Sequence, residues 1–418
     1  MNVPKLRFKA DDGSEFPEWE EKRLGDICEP LMYGMGAAAI PYDGQNKYIR
    51  ITDIDDESHK YKSNDIVSPA GMLEEKYLVC KGDILLARTG ASTGKSYLYD
   101  EKDGKMYFAG FLIKAHVNEE CDAKFIYAQT LTTKYMNWVK LTSMRSGQPG
   151  INANEYSSYA VSIACIPEQQ KIADFLSTID EIIQSTESEL TAWQERKKGV
   201  MQKIFNREVR FKADDGSEFP EWEEKTLFDV LDNVVDFRGR TPKKLGMDWS
   251  SEKTDYLALS ALNVKMGYID DSVDPHYGDS ILYHRWMNGK ELYKGEVLFT
   301  TEAPMGNIAQ VPDDKPYILS QRVIALIPVK AVICEDFLCC VLQSGIVQLN
   351  LKTLATGGTA QGISQKSLEK LRLTFPSIPE QRKIADCLSS LDDVINQIKA
   401  ELSAWKEFKK GLLQQMFV

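Results

Sequence analysis

The sequence predicts an α/β (α+β) protein. Two mixed, strand-rich domains are separated by an antiparallel coiled coil of two long helices, and the whole is an internal repeat about a pseudo-twofold axis. Three observations predict this. "RFKADDGSEFPEWEEK" at 7–22 returns letter for letter at 210–225. "IPEQQKIADFLSTIDEIIQSTESELTAWQERKKGVMQKIF" from Ile166 returns as "IPEQRKIADCLSSLDDVINQIKAELSAWKEFKKGLLQQMF" from Ile378. Between these pieces lie two segments, about residues 23–165 and 226–377, that share only outlines: "KGDILLART" against "KGEVLFTTE", and "GQPGINANEY" against "TAQGISQKSL". The expected boundaries are 1–165 for an arm and first domain, 166–208 for the first helix, 209–377 for the second arm and domain, and 378–418 for the second helix.

The helices are the firmest elements. Pro167 and Pro379 stand where a first helical turn tolerates proline, each followed by a glutamate suited to the positive helix end. Downstream, Ile172, Leu176, Ile179, Ile183, Thr186, Leu190, Trp193, Lys197, Val200 and Ile204 alternate in steps of four and three. Ile384, Leu388, Leu391, Ile395, Ile398, Leu402, Trp405, Lys409, Leu412 and Met416 repeat that ladder. A heptad seam of this length needs a partner, and the other copy is the nearest one. At about 1.5 Å per residue, about 38 residues make a rod of roughly 57 Å. A parallel pair would force the second domain to span that rod, whereas an antiparallel pair lets it join neighbouring helix ends. Lys197 and Lys409 interrupt the seam at matching places, either to snorkel and fix register or to meet a partner subunit. Gly199 and Gly411 cost about 1 kcal/mol each against alanine, and only a close backbone approach would account for them.

In the variable domains, "NKYIRITDID", "GDILLART" and "KMYFAGFLIKAHV" read as strands, as do "YLALSALNV", "GEVLFTT" and "YILSQRVIALIPV". "CDAKFIYAQTLTTKYMNWV" and "CEDFLCCVLQSGIVQLNL" read as one helix in each domain. Two stretches imitate nucleotide sites. "ARTGASTGKSYLYD" at 87–100 has Gly90, Gly94, Lys95 and Ser96, but a P-loop needs glycine where Thr89 stands and a helix afterwards. It reads instead as a strand-to-strand turn. "YGMGAAA" places Gly34, Gly36 and Ala39 after a segment containing Pro30, a poor first strand for a dinucleotide fold. No Pro-Pro dipeptide exists, which removes the (N/D)PP(Y/F) signature of adenine methyltransferases, and no nucleophile–base constellation is visible.

Bulk properties fit a soluble cytoplasmic protein. Of the 418 residues 43% are hydrophobic and 27% charged, with no apolar run suited to a secretory signal or a bilayer span. Eight cysteines without a CxxC pair and four scattered histidines argue against disulfides and metal. The formal net charge is −11. Residues 23–165 carry 16 Lys/Arg against 18 Asp/Glu, and residues 226–377 carry the same numbers, so most of the excess lies in arms and helices. A nearly neutral domain can still present one basic face.

Repeated parts suit a job done twice and unlike heads suit two unlike sites, such as half-sites along DNA. The arm "PEWEEKRLGDI", the "KGDILLARTG" and "KGEVLFTTEAPMGN" stretches, and the doubled "IPEQ(Q/R)KIAD…W…KKG" helices resemble the specificity subunits of Type I restriction-modification systems over essentially the whole chain. The resemblance implies two target recognition domains reading a bipartite, asymmetric site in double-stranded DNA, with the helices as ruler and docking surface for two modification (methyltransferase) subunits. It implies restriction subunits as further partners. No cofactor is expected in this chain: methyl donor, ATP and magnesium would belong to the partners, and this chain would not be an enzyme. The alternatives are a coiled-coil adaptor whose heads bind proteins, and a self-contained nuclease or methyltransferase.

Base readout favours Arg and Lys on guanine and Asn and Gln on adenine, from loops. In the first domain the candidates are Tyr33, Arg50, Arg88, Thr89, Lys95, Arg145 and Gln148. In the second they are Arg238, Arg240, Lys243, Lys244, Gln321, Arg322 and Gln361. Each has the alternative of being a solvated surface group. "FRGRTPKK", with four cations around Gly239 and Pro242, is the densest cluster and reads as an exposed loop. On this reading Arg240→Ala weakens DNA binding by the assembled complex, measured as affinity and sequence preference.

Overall fold

A computed structural model describes residues 4–144, 147–357 and 361–417. The chain divides into two compact units, Met1–Ser188 with Lys399–Val418, and Glu189–Ile398. Among the described residues no single helix is long and apolar enough to cross a membrane.

In the first unit a four-stranded antiparallel sheet has strands β1 (Met32–Tyr33), β2 (Asp83–Ala87), β3 (Ser96–Leu98) and β4 (Leu112–His116) in the order β1-β4-β2-β3. Side chains alternate across its two faces. Ile84, Leu86, Ile113 and Ala115 join a core with Phe125, Tyr156 and the long helices. Leu85, Ala87 and Leu112 join a second core with Ile49, Tyr97, Met106 and Phe108. Both faces are therefore buried, which is why "ILLA" at 84–87 is an unbroken apolar run rather than an alternating one. Residues 88–95 link the antiparallel pair β2–β3 and no helix follows them, as the strand-to-strand reading expects.

The second unit repeats this plan with β5 (Leu231–Asp236), β6 (Val297–Thr300), β7 (Ile308–Gln310) and β8 (Val323–Pro328) in the order β5-β8-β6-β7. Val297, Phe299, Ile324 and Leu326 face one core, Leu298, Val323 and Ala325 the other. The unlike sequences thus hold one topology.

Several expected elements differ. "CDAKFIYAQTLTTKYMNWV" is two helices, Ala123–Gln129 and Thr133–Thr142, because Thr132 caps a new start by accepting a hydrogen bond from the Tyr135 N–H at 3.2 Å. "CEDFLCCVLQSGIVQLNL" is likewise two, Glu335–Gln343 and Gly345–Leu354, bent by 69° where Ser344 caps the second. "YLALSALNV" keeps only Ala258–Leu259 as strand, since Asn263 Oδ1 then accepts from the Ser260 N–H at 3.0 Å and closes a turn. "NKYIRITDID" is strand over Lys47–Ile49 and a 3₁₀ turn over Ile51–Asp53.

The long helices are α1 (Ile166–Phe205) and α2 (Ile378–Met416). In the first unit Ile172, Leu176, Ile179, Ile183 and Thr186 of α1 are buried, as are Leu412 and Met416 of α2, with Leu402 and Trp405 packed on the same core. Lys409 reaches Asp180 at 2.6 Å and Lys406 reaches Glu187 at 3.0 Å, so the segments run antiparallel. In the second unit Ile204 shares a core with Ile384 and Leu388, while Leu391 packs on its edge and Lys197 reaches Asp392 at 2.5 Å. Ile395 and Ile398 are buried, and Leu190, Trp193 and Val200 half-buried. The seam lysines therefore fix register, each through an aspartate at the same step of the repeat. Gly199 and Gly411 face open space within 4 Å of where a Cβ would stand, and nothing in the structure explains them.

The joint between arm, domain and helix follows one plan in both units, with one difference at the arm tryptophan. Glu168, fully buried, accepts from Arg7 Nε at 2.9 Å and Nη2 at 2.7 Å, and from Trp19 Nε1 at 2.9 Å. Glu380, also buried, accepts from Arg210 Nε at 3.2 Å and Nη2 at 2.8 Å, whereas Trp222 Nε1 has no partner. The next residue ties the helix to its domain. Gln169 Oε1 accepts from the Asp122 N–H at 2.8 Å, and Gln381 Oε1 from the Cys334 N–H at 3.0 Å. The arm strand Glu20–Arg23 pairs with Ala160–Ile163, and Glu223–Thr226 pairs with Arg372–Phe375.

Two outcomes are expected. Arg210→Ala leaves a buried carboxylate with no charge partner, a loss of about 3–5 kcal/mol. Arg7→Ala costs less because Trp19 still donates, a difference that chemical denaturation of the two variants resolves. Burial, then repulsion from Glu335, pushes the carboxyl of Glu296 up to about 7 from 4.5. The folded state then holds a proton that the unfolded chain releases, so this site's stabilisation, full below about pH 4.5, is lost as pH rises to about 7. Glu296→Gln removes that decline, visible as a thermal midpoint higher than wild type at pH 8 and a smaller gap at pH 6.

Candidate nucleic-acid interface

In each unit the two central strands end together and their connections form a tip. In the first, Ala87 pairs with Leu112, and beyond them the Arg88 N–H donates to the Phe111 carbonyl at 3.0 Å. Thr89 bridges to Gly150, and the Ile151 N–H donates to the Arg88 carbonyl at 2.9 Å. In the second, Thr300 pairs with Val323, and the Thr301 N–H donates to the Arg322 carbonyl at 2.8 Å. Glu302 bridges to Gly362, and the Ile363 N–H donates to the Thr301 carbonyl at 2.9 Å. Bond for bond, Arg88-Thr89 matches Thr301-Glu302, Gly110-Phe111 matches Gln321-Arg322, and Gly150 matches Gly362.

Half of the candidates gather at these tips. The Arg88 guanidinium lies 4.8 Å from the ring centre of Tyr33, and its Nη1 donates to the Gly110 carbonyl at 3.3 Å. The Tyr33 hydroxyl accepts from the Ala153 N–H at 3.1 Å, and Gln148 is exposed beside Gly90. At the second tip Gln321, Arg322 and Gln361 are exposed. Arg322 has a φ of 64°, a conformation that costs a non-glycine residue, and its Nε meets Glu302 at 3.0 Å. Gln321 and Arg322 line a cleft of about 410 Å³ with Lys243, Trp249, Asp274 and His276, so the "RTPKK" loop borders the same site. Lys243 and Lys244 are exposed, Lys244 donating to the Gly239 carbonyl at 2.5 Å.

Other candidates are committed elsewhere. Lys95 is buried, bonded to the Ile54 carbonyl at 3.1 Å and paired with Asp56, so it anchors the hairpin rather than facing a ligand. A Cβ on neighbouring Gly94 would stand 2.5 Å from Val139, which explains that glycine without a phosphate. Arg50 is held by Asp53 at 2.8 Å and Asp65 at 3.0 Å. In "FRGRTPKK", expected as an exposed loop, Arg238 is locked to Asp236 at 2.5 Å, and residues Pro242–Leu245 form a 3₁₀ turn. Arg240 donates to the Trp286 carbonyl and lies 4.3 Å from the ring centre of Phe237, so it ties the loop to its domain, and its loss acts through the loop. Arg145 lies outside the described residues.

Phe111 was legible only in hindsight. Buried in the run "KMYFAGFLIKAHV", it is 63% exposed, and Gly110 before it was the signal that the run breaks into two strands. One chemical cluster has a structural explanation. Cys80, Asp83 and His116 converge, with His116 Nδ1 2.8 Å from Asp83 Oδ1. Asp83 also accepts from the Cys80 N–H at 2.8 Å, and its repeat counterpart Glu296 accepts from the Tyr293 N–H at 3.1 Å without histidine or cysteine nearby in the register. The acid staples a turn in both units.

The pattern of the Type I restriction modification DNA specificity domain matches residues 17–192 and 220–404. The chain belongs to this family of restriction-modification specificity subunits. It is 24% identical over 430 residues to the type I restriction enzyme MjaVIII specificity subunit of Methanocaldococcus jannaschii, covering 97% of this chain and 94% of the relative. Its fold is similar to the Type-I restriction-modification system S subunit from M. genitalium, with a TM-score of 0.58 at 16% identity over 100% of this chain and 99% of that one. It is also similar to a chain of a type I R-M system structure concerned with complex assembly and conformational transition, with a TM-score of 0.53 at 17% identity over 96% of each.

Proposed function

We propose that the chain is the non-catalytic DNA-reading subunit of a Type I restriction-modification complex. Each unit's tip reads one half of a bipartite, asymmetric site in double-stranded DNA, and the paired long helices set the spacing between the halves. The observation that carries this reading is the pair of equivalent tips: one backbone scaffold, bonded alike in both units, carrying unlike exposed side chains. Such a design suits two readers of different sequences better than a symmetric adaptor.

Two modification subunits dock on the repeated arm and helix surfaces, and restriction subunits join that core in the cytoplasm. Methyl donor, ATP and magnesium belong to those partners. This division of labour accords with the look-alike at 87–100, where Gly94 packs against Val139 and Lys95 is tied to Ile54 and Asp56 within the domain.

The test is to map methylated adenines made by the chain together with its modification subunit. One motif with two unlike halves and a constant gap is expected, bound with an affinity that falls steeply with salt because phosphate contacts release counterions. Binding that ignores both sequence and salt would point to an adaptor and end the reading.

A further inference from the structure

Resting on that reading, we infer that the tip position occupied by Phe111 in the first unit and Arg322 in the second is a specificity-determining contact to base edges. Phe111 packs on a thymine methyl and Arg322 reads a guanine. Three observations converge. The register makes the two residues equivalent: each directly precedes a residue whose strand partner ends the central strand, and each accepts the same backbone hydrogen bond. Both are exposed, Phe111 at 63%, so each side chain is open to a ligand approaching the tip. Their chemistry is opposite, on scaffolds otherwise bonded alike.

The residue across the tip changes with them. The Arg88 N–H donates to Phe111 and the Thr301 N–H to Arg322, and the residue that follows each donor, bridged to Gly150 or Gly362, is Thr89 in the first unit and Glu302 in the second. A carboxylate near DNA repels phosphate, so it needs a purpose. Here it engages Arg322 Nε at 3.0 Å, which orients the guanidinium and leaves the two terminal nitrogens for the bidentate O6/N7 pair that guanine presents in the major groove. The positive φ of Arg322 fixes the backbone from which that side chain projects. Phe111 has no polar group to place, and its match among major-groove features is the thymine methyl.

The experiment uses the assembled complex with modification subunits and duplexes carrying the mapped site. Single guanines are replaced by 7-deazaguanine, which lacks N7, and single thymines by deoxyuridine, which lacks the methyl. Wild type is expected to lose affinity at one guanine in one half-site and at one thymine in the other. Arg322→Gly, which suits the backbone conformation, is expected to lose discrimination at that base pair by roughly five- to 150-fold. It should also become indifferent to the 7-deazaguanine, with the other half-site read as before. Arg322→Lys retains part of the preference. Phe111→Ala becomes indifferent to the deoxyuridine and reads the Arg322 half unchanged. If both variants keep the wild-type motif and the wild-type sensitivity to every substituted base, the assignment of these residues is wrong while the two-reader function stands. A wild-type complex with no base preference would end both.

Discussion

A carboxylate at the third residue of each long helix, Glu168 and Glu380, is sealed from water and answered by an arginine from the arm. A buried carboxylate keeps its charge at low cost only with such a partner, so the arm that closes over the helix start stabilises the helix there. The glutamine that follows fastens the same turn to the variable domain through a backbone N–H. Arm, helix and domain thus meet at one turn of helix. The domain can diverge almost freely, since all the joint asks of it is a backbone amide and a short strand edge for the arm. Side chains such as Asp122 and Cys334 at that place have little in common, and the bond does not depend on them.

This division explains which parts of the fold were legible. A joint and a seam made of side chains leave a written trace: "IPEQ", the steps of four and three, and lysines matched by aspartates at Asp180 and Asp392. The domains are held by backbone pairing and by burial of both sheet faces, which any apolar run satisfies. Their common strand order was therefore visible only as an echo in "KGDILLART" and "KGEVLFTTE". The helix breaks at Thr132 and Ser344 escaped because a hydroxyl inside an apolar stretch reads equally as a helix face and as a cap.

The candidate site was less legible, for an electrostatic reason. A cation in a loop sequence does not disclose whether its carboxylate lies nearby in space. Lys95 has Asp56, Arg50 has Asp53 and Asp65, and Arg238 has Asp236, so these charges serve the domain's own loops. A near-neutral domain must distribute its acids somewhere, and several of them staple turns, as Asp43, Asp55 and Asp270 do. Arg322 with Glu302 belongs to the same class by distance alone. It differs in place: the pair straddles the end of the central strands, where the backbone is held on both sides and the side chains are not.

Position also accounts for Phe111. The step from an interior strand residue to a tip is one residue, Leu112 being fully buried while Phe111 is mostly exposed. An alternating pattern cannot mark that change when both sheet faces are apolar, because the period-2 signal is erased along the whole run. The erasure is itself a consequence of how the sheet is built. A sheet packed on both faces offers no open face to a ligand, so on the proposed reading recognition falls to its end, where the strands stop and connections begin. There the scaffold is rigid because the strands behind it are buried, and the outermost side chain can change without disturbing a core. A fold that must read different sequences with unchanged mechanics is served by placing variation at that edge.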